Sequence, residues 1–193
     1  MANILESYVI ESPEYGAPYK IDLIEGLDES HIQYIEDEWC QSIKRQRDLA
    51  ILHYFTQPEE FQTDAKFLEL LGKYGIPDQH WEWRQKCDFA SSASHKTYGL
   101  LNGIHLEAAM LLKFGENSRI DRDDLPIVYV DYVAVAPWNR SKVQSPERFR
   151  KLGTVMLGVA VEVSRVNDMD GRCGLHSLPN AEGFYICRLY TSP

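Results

Sequence analysis

The sequence feature that most constrains the fold is a strand-helix-strand pattern in residues 126–178. Residues 126–137 are rich in valine and tyrosine and apolar on both faces, which is typical of a strand inside a sheet. A stripe of apolar residues then recurs at steps of three and four, as in an amphipathic helix: Leu152, Val155, Met156, Val159, Ala160 and Val163. Residues 172–178 predict a second strand. Because a helical crossover joins strands that run the same way, the pattern predicts a parallel pair within an α/β fold.

The first 95 residues are predicted to be mainly helical, with one short strand at Lys20–Glu25. A helix from His31 to Tyr54 follows Asp28, a residue type that caps helix N-termini well. A second helix covers Ala65–Tyr74 and ends before Gly75.

A β-hairpin is predicted between residues 97 and 114. Thr97–Leu101 and Ile104–Phe114 flank Asn102-Gly103, and this dipeptide is a strong hairpin signal. In the second strand apolar residues alternate with polar ones, which predicts that Glu107 lies opposite the core face.

Composition predicts one globular domain in the cytoplasm. The 193 residues are 44% hydrophobic. The longest apolar run, Ala108–Leu112, is far shorter than the roughly 20 residues of a membrane helix, and the first residues form no signal peptide. A formal charge of -9 argues against nucleic acid and anionic membranes as partners.

The four cysteines, Cys40, Cys87, Cys173 and Cys187, are scattered and predict free thiols. Cys173 and His176 form one C-x-x-H pair, but two ligands do not close a tetrahedral metal site. We therefore expect no metal.

One basic segment stands out in this acidic chain. Residues 140–153 carry five basic side chains and one acidic side chain, Glu147. They lead into a predicted helix N-terminus, where backbone N–H groups and the helix dipole favour an anion such as phosphate. Arg150 and, three residues on, Gly153 suit close approach of a pyrophosphate. A solvated basic loop is the alternative.

Three ordered motifs resemble the GCN5-related N-acetyltransferase (GNAT) superfamily. Its acetyl-CoA motif R/Q-x-x-G-x-G/A is similar to Arg150–Val155, its central strand end to Val133–Pro137, and its Asn-then-Phe-Tyr signature to Asn180–Tyr185. The resemblance covers residues 97–191, and residues 1–95 are divergent. It implies a central mixed sheet in which a parallel strand pair splays apart between flanking helices, with residues 96–193 as the acetyl-CoA-binding part and residues 1–95 as the acceptor side.

The resemblance also implies the residues that would bind acetyl-CoA as co-substrate. They are Val133, Ala134, Val135, Arg150, Lys151, Leu152, Gly153, Thr154, Val155, Asn180 and Tyr185. The sequence departs from the family's acetyl-CoA motif in two ways that would affect the affinity for acetyl-CoA. About ten residues from Arg140 to Phe149 enlarge the loop, and Val155 replaces the usual Gly or Ala. The resemblance further leads us to expect little room for the family's last strand after Tyr190.

Three residues are candidates for catalysis. The resemblance implies that Tyr185 protonates or hydrogen-bonds the departing thiolate, with helix packing as its alternative role. Asp131 lies in the central strand, where burial would raise its pKa toward that of a base, and its alternative is a structural ion pair. Glu107, on the neighbouring strand, is the other candidate base.

The activity implied is acetyl transfer to a primary amine by direct attack in a ternary complex. Acidic and aromatic residues, among them Glu82, Trp39, Trp81 and Tyr34, could form an acceptor cleft. The acceptor stays open between a small amine, a protein amine and a tRNA-linked amine, and a homodimer also stays open. The alternative function is a non-catalytic acyl-CoA sensor or interaction module.

Overall fold

The computed structural model describes residues 3–89, 92–118 and 124–176. They form a mixed sheet with strand order β1-β2-β3-β4-β5-β6. The strands are β1 (Asn3–Ile10), β2 (Tyr19–Glu25), β3 (His95–Asn102), β4 (His105–Asn117), β5 (Pro126–Val135) and β6 (Cys173–Leu175). Neighbouring strands are antiparallel except β5 and β6, which are parallel. The expected mixed α/β architecture with one parallel pair is thus confirmed.

Five α-helices flank the sheet within the described ranges. They are α1 (Glu29–Tyr34), α2 (Cys40–Thr56), α3 (Asp64–Lys73), α4 (Trp83–Phe89) and α5 (Leu152–Val166). A π-helical turn, Ile35–Trp39, joins α1 to α2, and 3-10 turns occur at Glu59–Phe61 and Pro137–Asn139. No helix in these ranges has the length and apolar character needed to cross a membrane.

The sheet is covered on both faces. On one face, α5 packs through Met156 and Ala160 against a core that includes Val128 and Phe149. On the other face, the helical layer contributes Trp39 and Trp83. These two buried layers explain why β4 is buried from Leu106 to Leu112, with no polar face there.

Local signals predicted their elements well. Asp28 accepts hydrogen bonds from the backbone N–H groups of Ser30 and His31 and caps α1, as expected. Gly75 and Gly103 have positive φ angles of 75° and 63°, where α3 has ended and where the β3–β4 hairpin turns. The crossover through α5 is confirmed as well.

Three expectations from the sequence need correction. Strand β1 was not predicted, because its side chains are mostly exposed at the sheet edge and give little alternation. Ile104 belongs to the hairpin turn and is 83% exposed rather than part of the core face. Glu107 does not lie on a polar face: it is completely buried.

Two register shifts explain the positions of the acidic candidates. Leu100 pairs with Ala108 and Leu101 with Leu106, so Glu107 is the extra residue. In β5 the corresponding extra residue is Asp131, because Tyr132 pairs with Leu111 and Val130 with Leu112. Such bulges re-aim the side chains that follow them.

The effect of the second bulge is visible in the core. Val130 and Val133 both pack on the α5 side although they are three positions apart, whereas Tyr132 packs on the helical side that contains Trp39.

Candidate functional site

A cleft lies beside the C-terminal half of β5. Among the described residues, β6 pairs with β5 from Val128–Cys173 to Val130–Leu175, and β5 extends to Val135. Beside residues 129–135 lies a cavity of about 510 Å³. Its other walls are Gly75, Pro77, Asp78, Trp81, Arg140, Leu175 and His176. The cleft therefore brings the C-terminal half of β5 together with the loop that follows α3.

The cleft contains four of the residues singled out in the sequence. Val133, Ala134 and Val135 line it, and so does Asp131. Asp131 is half-buried, not fully buried as the sequence had led us to expect. Its position on the bulge turns it into the cleft, where a carboxylate could attract a cation.

Trp81 and Tyr132 form an aromatic corner of the cleft, with ring centroids 5.1 Å apart. The ammonium of Lys86 lies 3.3 Å from the centroid of the Tyr132 ring, a cation–π contact. Sequence reasoning missed Lys86, because only the fold places α4 beside β5. Trp39 belongs to the core instead, and its indole N–H donates to the Leu106 carbonyl at 3.0 Å.

The N-terminus of α5 follows Lys151, which has a left-handed backbone with φ 63° and makes no side-chain cap. Leu152, Gly153 and Thr154 form the first turn of the helix, the end at which the positive pole of the helix dipole lies. Val155 packs its side chain against the core on the α5 face. Its methyl groups are thus directed at least partly to the interior.

Three of the five basic residues between 140 and 153 are engaged inside the protein. The Arg140 guanidinium binds the Asp78 carboxylate at 2.6 and 2.8 Å and the Val135 carbonyl at 2.8 Å. Lys142 Nζ donates to the Gly72 carbonyl, and Arg148 binds Glu107. Much of this charge therefore fixes the enlarged loop to its surroundings.

Arg150 and Lys151 remain at the surface beside the start of α5. Arg150 Nε lies 3.3 Å from the Glu147 carboxylate, and the Arg150 side chain is 54% exposed. Its backbone N–H donates to the Glu11 carbonyl at 3.1 Å. The terminal guanidinium nitrogens make no hydrogen bond to another described residue, so they are the groups that could meet a phosphate.

Glu107 is the centre of a buried polar cluster. Its Oε2 accepts hydrogen bonds from the Trp138 indole N–H at 2.6 Å and the Asn139 amide at 2.7 Å. Its Oε1 accepts from Arg148 at 3.2 Å. With three donors and no exposure, this carboxylate is arranged to hold the segment after β5 rather than to accept a proton from a ligand.

Two predicted site residues, Asn180 and Tyr185, lie outside the described residues, as do the predicted helix at residues 181–188 and the short strand at residues 189–191. Among the residues that are described, no group of three or more His, Cys, Asp and Glu side chains could hold a metal ion.

The chain is similar to several solved acetyltransferases. A predicted acetyltransferase from Clostridium acetobutylicum, solved with acetyl-CoA, has 11% identity and a TM-score of 0.47, over 90% of this chain and 91% of that one. The ribosomal-protein-alanine N-acetyltransferase of Brucella melitensis biovar Abortus has 9% identity and a TM-score of 0.44, over 91% and 93%.

The aminoglycoside acetyltransferase AAC(6')-Iy, in complex with a bisubstrate analogue, has 9% identity and a TM-score of 0.47, over 88% of this chain and 86% of its own. No family model and no curated protein matches the chain. Similarities at this level do not define a family by themselves. The class that the chain's own geometry defines is a mixed α/β protein with one parallel strand pair and a cleft beside β5.

Proposed function

We propose that the protein is an acyltransferase of the GNAT type that binds acetyl-CoA. The observation that carries this proposal is the cleft along Asp131–Val135, next to the β5–β6 pairing that the described residues form up to Val130–Leu175. A strand edge in such a cleft can offer backbone hydrogen bonds to an extended ligand, as another strand would. The N-terminus of α5, reached through the crossover, suits the pyrophosphate.

More specifically, the proposed activity is N-acetylation of a primary amine. In this assignment Val133, Ala134 and Val135 line the path of the pantetheine arm. Leu152 and Gly153 offer helix N-terminal N–H groups, and Arg150 with Lys151 adds positive charge. Val155 supports that turn from the core, and Asn180 would contact the arm, as the resemblance implies.

Proton transfer is assigned to two residues. The amine nitrogen forms a bond to the acetyl carbon while the carbon–sulfur bond breaks, so the amine must lose a proton and the thiolate must gain one. We assign acceptance of the amine proton to Asp131, which lies in the cleft, rather than to Glu107, whose oxygens are engaged by three internal donors. Tyr185 is proposed to protonate the thiolate.

The acceptor is proposed to enter beside the aromatic corner. Trp81 and Tyr132 contact the ammonium group of Lys86, and Asp131 supplies negative charge in the same cleft. The Asp131 carboxylate is therefore the group that suits a cationic amine before it loses its proton.

The test is release of CoA thiol from acetyl-CoA in the presence of a panel of amines, with the acetylated product identified by mass spectrometry. The panel contains a polyamine, an aminoglycoside, a lysine peptide and a peptide with a free N-terminus. The proposal expects one class to accelerate thiol release, and it expects Asp131→Asn to lower the rate by about 10²-fold or more. Asp48→Asn, on an exposed part of α2, is the control.

The alternative function is an acyl-CoA-binding module without catalysis. The internal engagement of Arg140, Lys142 and Arg148 favours it, because these contacts hold the enlarged loop fixed. Saturable acetyl-CoA binding without acceleration of thiol release by any amine, protein or charged tRNA would support the module and overturn the transferase.

A further inference from the structure

A second pocket, of about 540 Å³, lies at the end of the sheet where α1 and α2 face the β3–β4 hairpin. The segment after β5 closes it from another side through Trp138 and Arg148. Its volume lies within the range of small-molecule and peptide sites. None of its lining residues belongs to the cleft along β5.

Two unpaired charges of opposite sign line this pocket from the same helical face. Glu38 and Arg45 are seven residues apart, and Ser42 lies between them on the lining. Both residues are exposed, and neither side chain forms a hydrogen bond or an ion pair with another described residue. Seven residues of helix correspond to about 10 Å along the axis, because the rise is about 1.5 Å per residue.

The floor of the pocket is fixed by internal contacts. Arg148 is held by the buried Glu107 at 3.2 Å and lies over the Trp138 ring, 4.8 Å from its centroid. The Tyr34 hydroxyl is 3.1 Å from His105 Nδ1. Burial raises the pKa of Tyr34 to about 12, so this hydroxyl stays protonated and available as a donor at neutral pH.

We propose that this pocket binds a short peptide with free ends, its ammonium group facing Glu38 and its carboxylate facing Arg45. An extended chain spans about 3.3 to 3.6 Å per residue, so three residues match the separation of positions 38 and 45 along the helix axis. The amide side chains of Gln46, Asn102 and Gln144 line the same pocket and can both donate to and accept from peptide groups.

Aromatic residues favour an apolar side chain in the middle of this peptide. Tyr15, Tyr34 and Trp138 contribute rings to the lining, and aromatic rings contact one another favourably at their edges and faces. A tripeptide with a central phenylalanine therefore combines the two end charges with a fitting side chain. This site requires neither acetyl-CoA nor the proposed transferase activity.

The experiment measures binding of Ala-Phe-Ala with free ends by isothermal titration calorimetry on the full-length protein without acetyl-CoA. Two further probes carry an acetylated N-terminus or an amidated C-terminus. We expect each cap to weaken binding about 2- to 5-fold, because Glu38 and Arg45 are exposed and an exposed ion pair contributes modestly to binding.

Two variants test which residue recognises each end of the peptide. In Arg45→Gln, the free-acid and amidated peptides should bind equally, while the effect of N-acetylation persists. In Glu38→Gln, the peptides with a free and an acetylated N-terminus should bind equally, while the effect of C-terminal amidation persists. The reason is that this variant lacks the partner of the ammonium group. Arg47→Gln and Asp48→Asn, whose parent residues do not line this pocket, should retain both cap effects.

Circular dichroism and thermal melting verify that each variant is folded. Absence of saturable binding to the folded parent protein at millimolar peptide would overturn the proposal. Equal binding of all three peptides to the parent would overturn it too, as would cap effects that persist unchanged in both Glu38→Gln and Arg45→Gln.

Discussion

The Glu107 carboxylate and the Arg148 guanidinium, 41 residues apart in sequence, lie 3.2 Å from each other, and the Glu107 side chain has no exposed surface. This contact joins the start of β4 to the segment that leads into α5. A buried ion pair that is fully hydrogen-bonded restricts geometry strongly, because separating its members would leave an unpaired charge inside the protein. The position of the proposed phosphate loop therefore depends on Glu107.

Replacement of Glu107 should destabilise the protein. We expect Glu107→Ala to lower the free energy of unfolding by about 3 to 5 kcal/mol, because it removes the carboxylate that accepts from the Trp138 indole and the Asn139 amide and leaves Arg148 with Glu14 alone. Urea denaturation followed by circular dichroism measures this loss. Glu162→Ala, which removes an exposed carboxylate on α5, should change the value by less than about 1 kcal/mol. Equal stability of the two variants would contradict the assigned role.

Arg150 should matter for acetyl-CoA affinity and not for stability. Arg150→Gln removes an exposed guanidinium beside the start of α5, so we expect acetyl-CoA to bind roughly 10- to 150-fold more weakly by calorimetry. Arg165→Gln, near the other end of the same helix, is the matched control and should bind like the parent. Gly153→Val should weaken binding sterically. Unchanged affinity in both Arg150→Gln and Gly153→Val would show that the phosphate groups bind elsewhere on the protein.

The thiols of Cys87 and Cys173 should react slowly at pH 8. Burial raises the pKa of each from 9.0 to about 11, so the reactive thiolate is a minor species. Between pH 8 and pH 10 the thiolate fraction grows about 90-fold for a pKa of 11 and only about 10-fold for a pKa of 9. Alkylation with iodoacetamide, resolved by site with mass spectrometry, should show the steeper rise. A 10-fold rise, equal to that of the urea-unfolded chain, would contradict the pKa shift.

The elements that were predicted correctly depend on nearby residues. The hairpin needs only Asn102 and Gly103 at its turn, and apolar residues three and four positions apart indicate α5. The direction of β6 then follows from the general handedness and length of helical crossovers. Each of these signals is complete within a few dozen residues of sequence.

The features that the sequence could not reveal depend on distant partners. Arg140 belongs to the basic segment that predicts an anion site, but its carboxylate partner Asp78 lies 62 residues away in sequence, in the loop after α3. Glu107 seemed to face solvent because strict alternation ignores the bulge, and its burial requires the second layer of helices. The direction of Asp131 into the cleft likewise depends on a bulge that no local motif marks.

The final prediction concerns Tyr185, whose place in the Asn180–Tyr185 motif carries its proposed role as the thiolate's proton donor. Tyr185→Phe keeps the ring and deletes only the hydroxyl group. Because general-acid assistance contributes about 10²- to 10⁴-fold, turnover should fall by that factor while acetyl-CoA affinity and melting temperature change little. Tyr190→Phe, five residues later, is the matched control and should retain turnover. A lower melting temperature without a specific loss of rate would assign Tyr185 to packing, and full turnover would leave water or a backbone N–H to stabilise the thiolate.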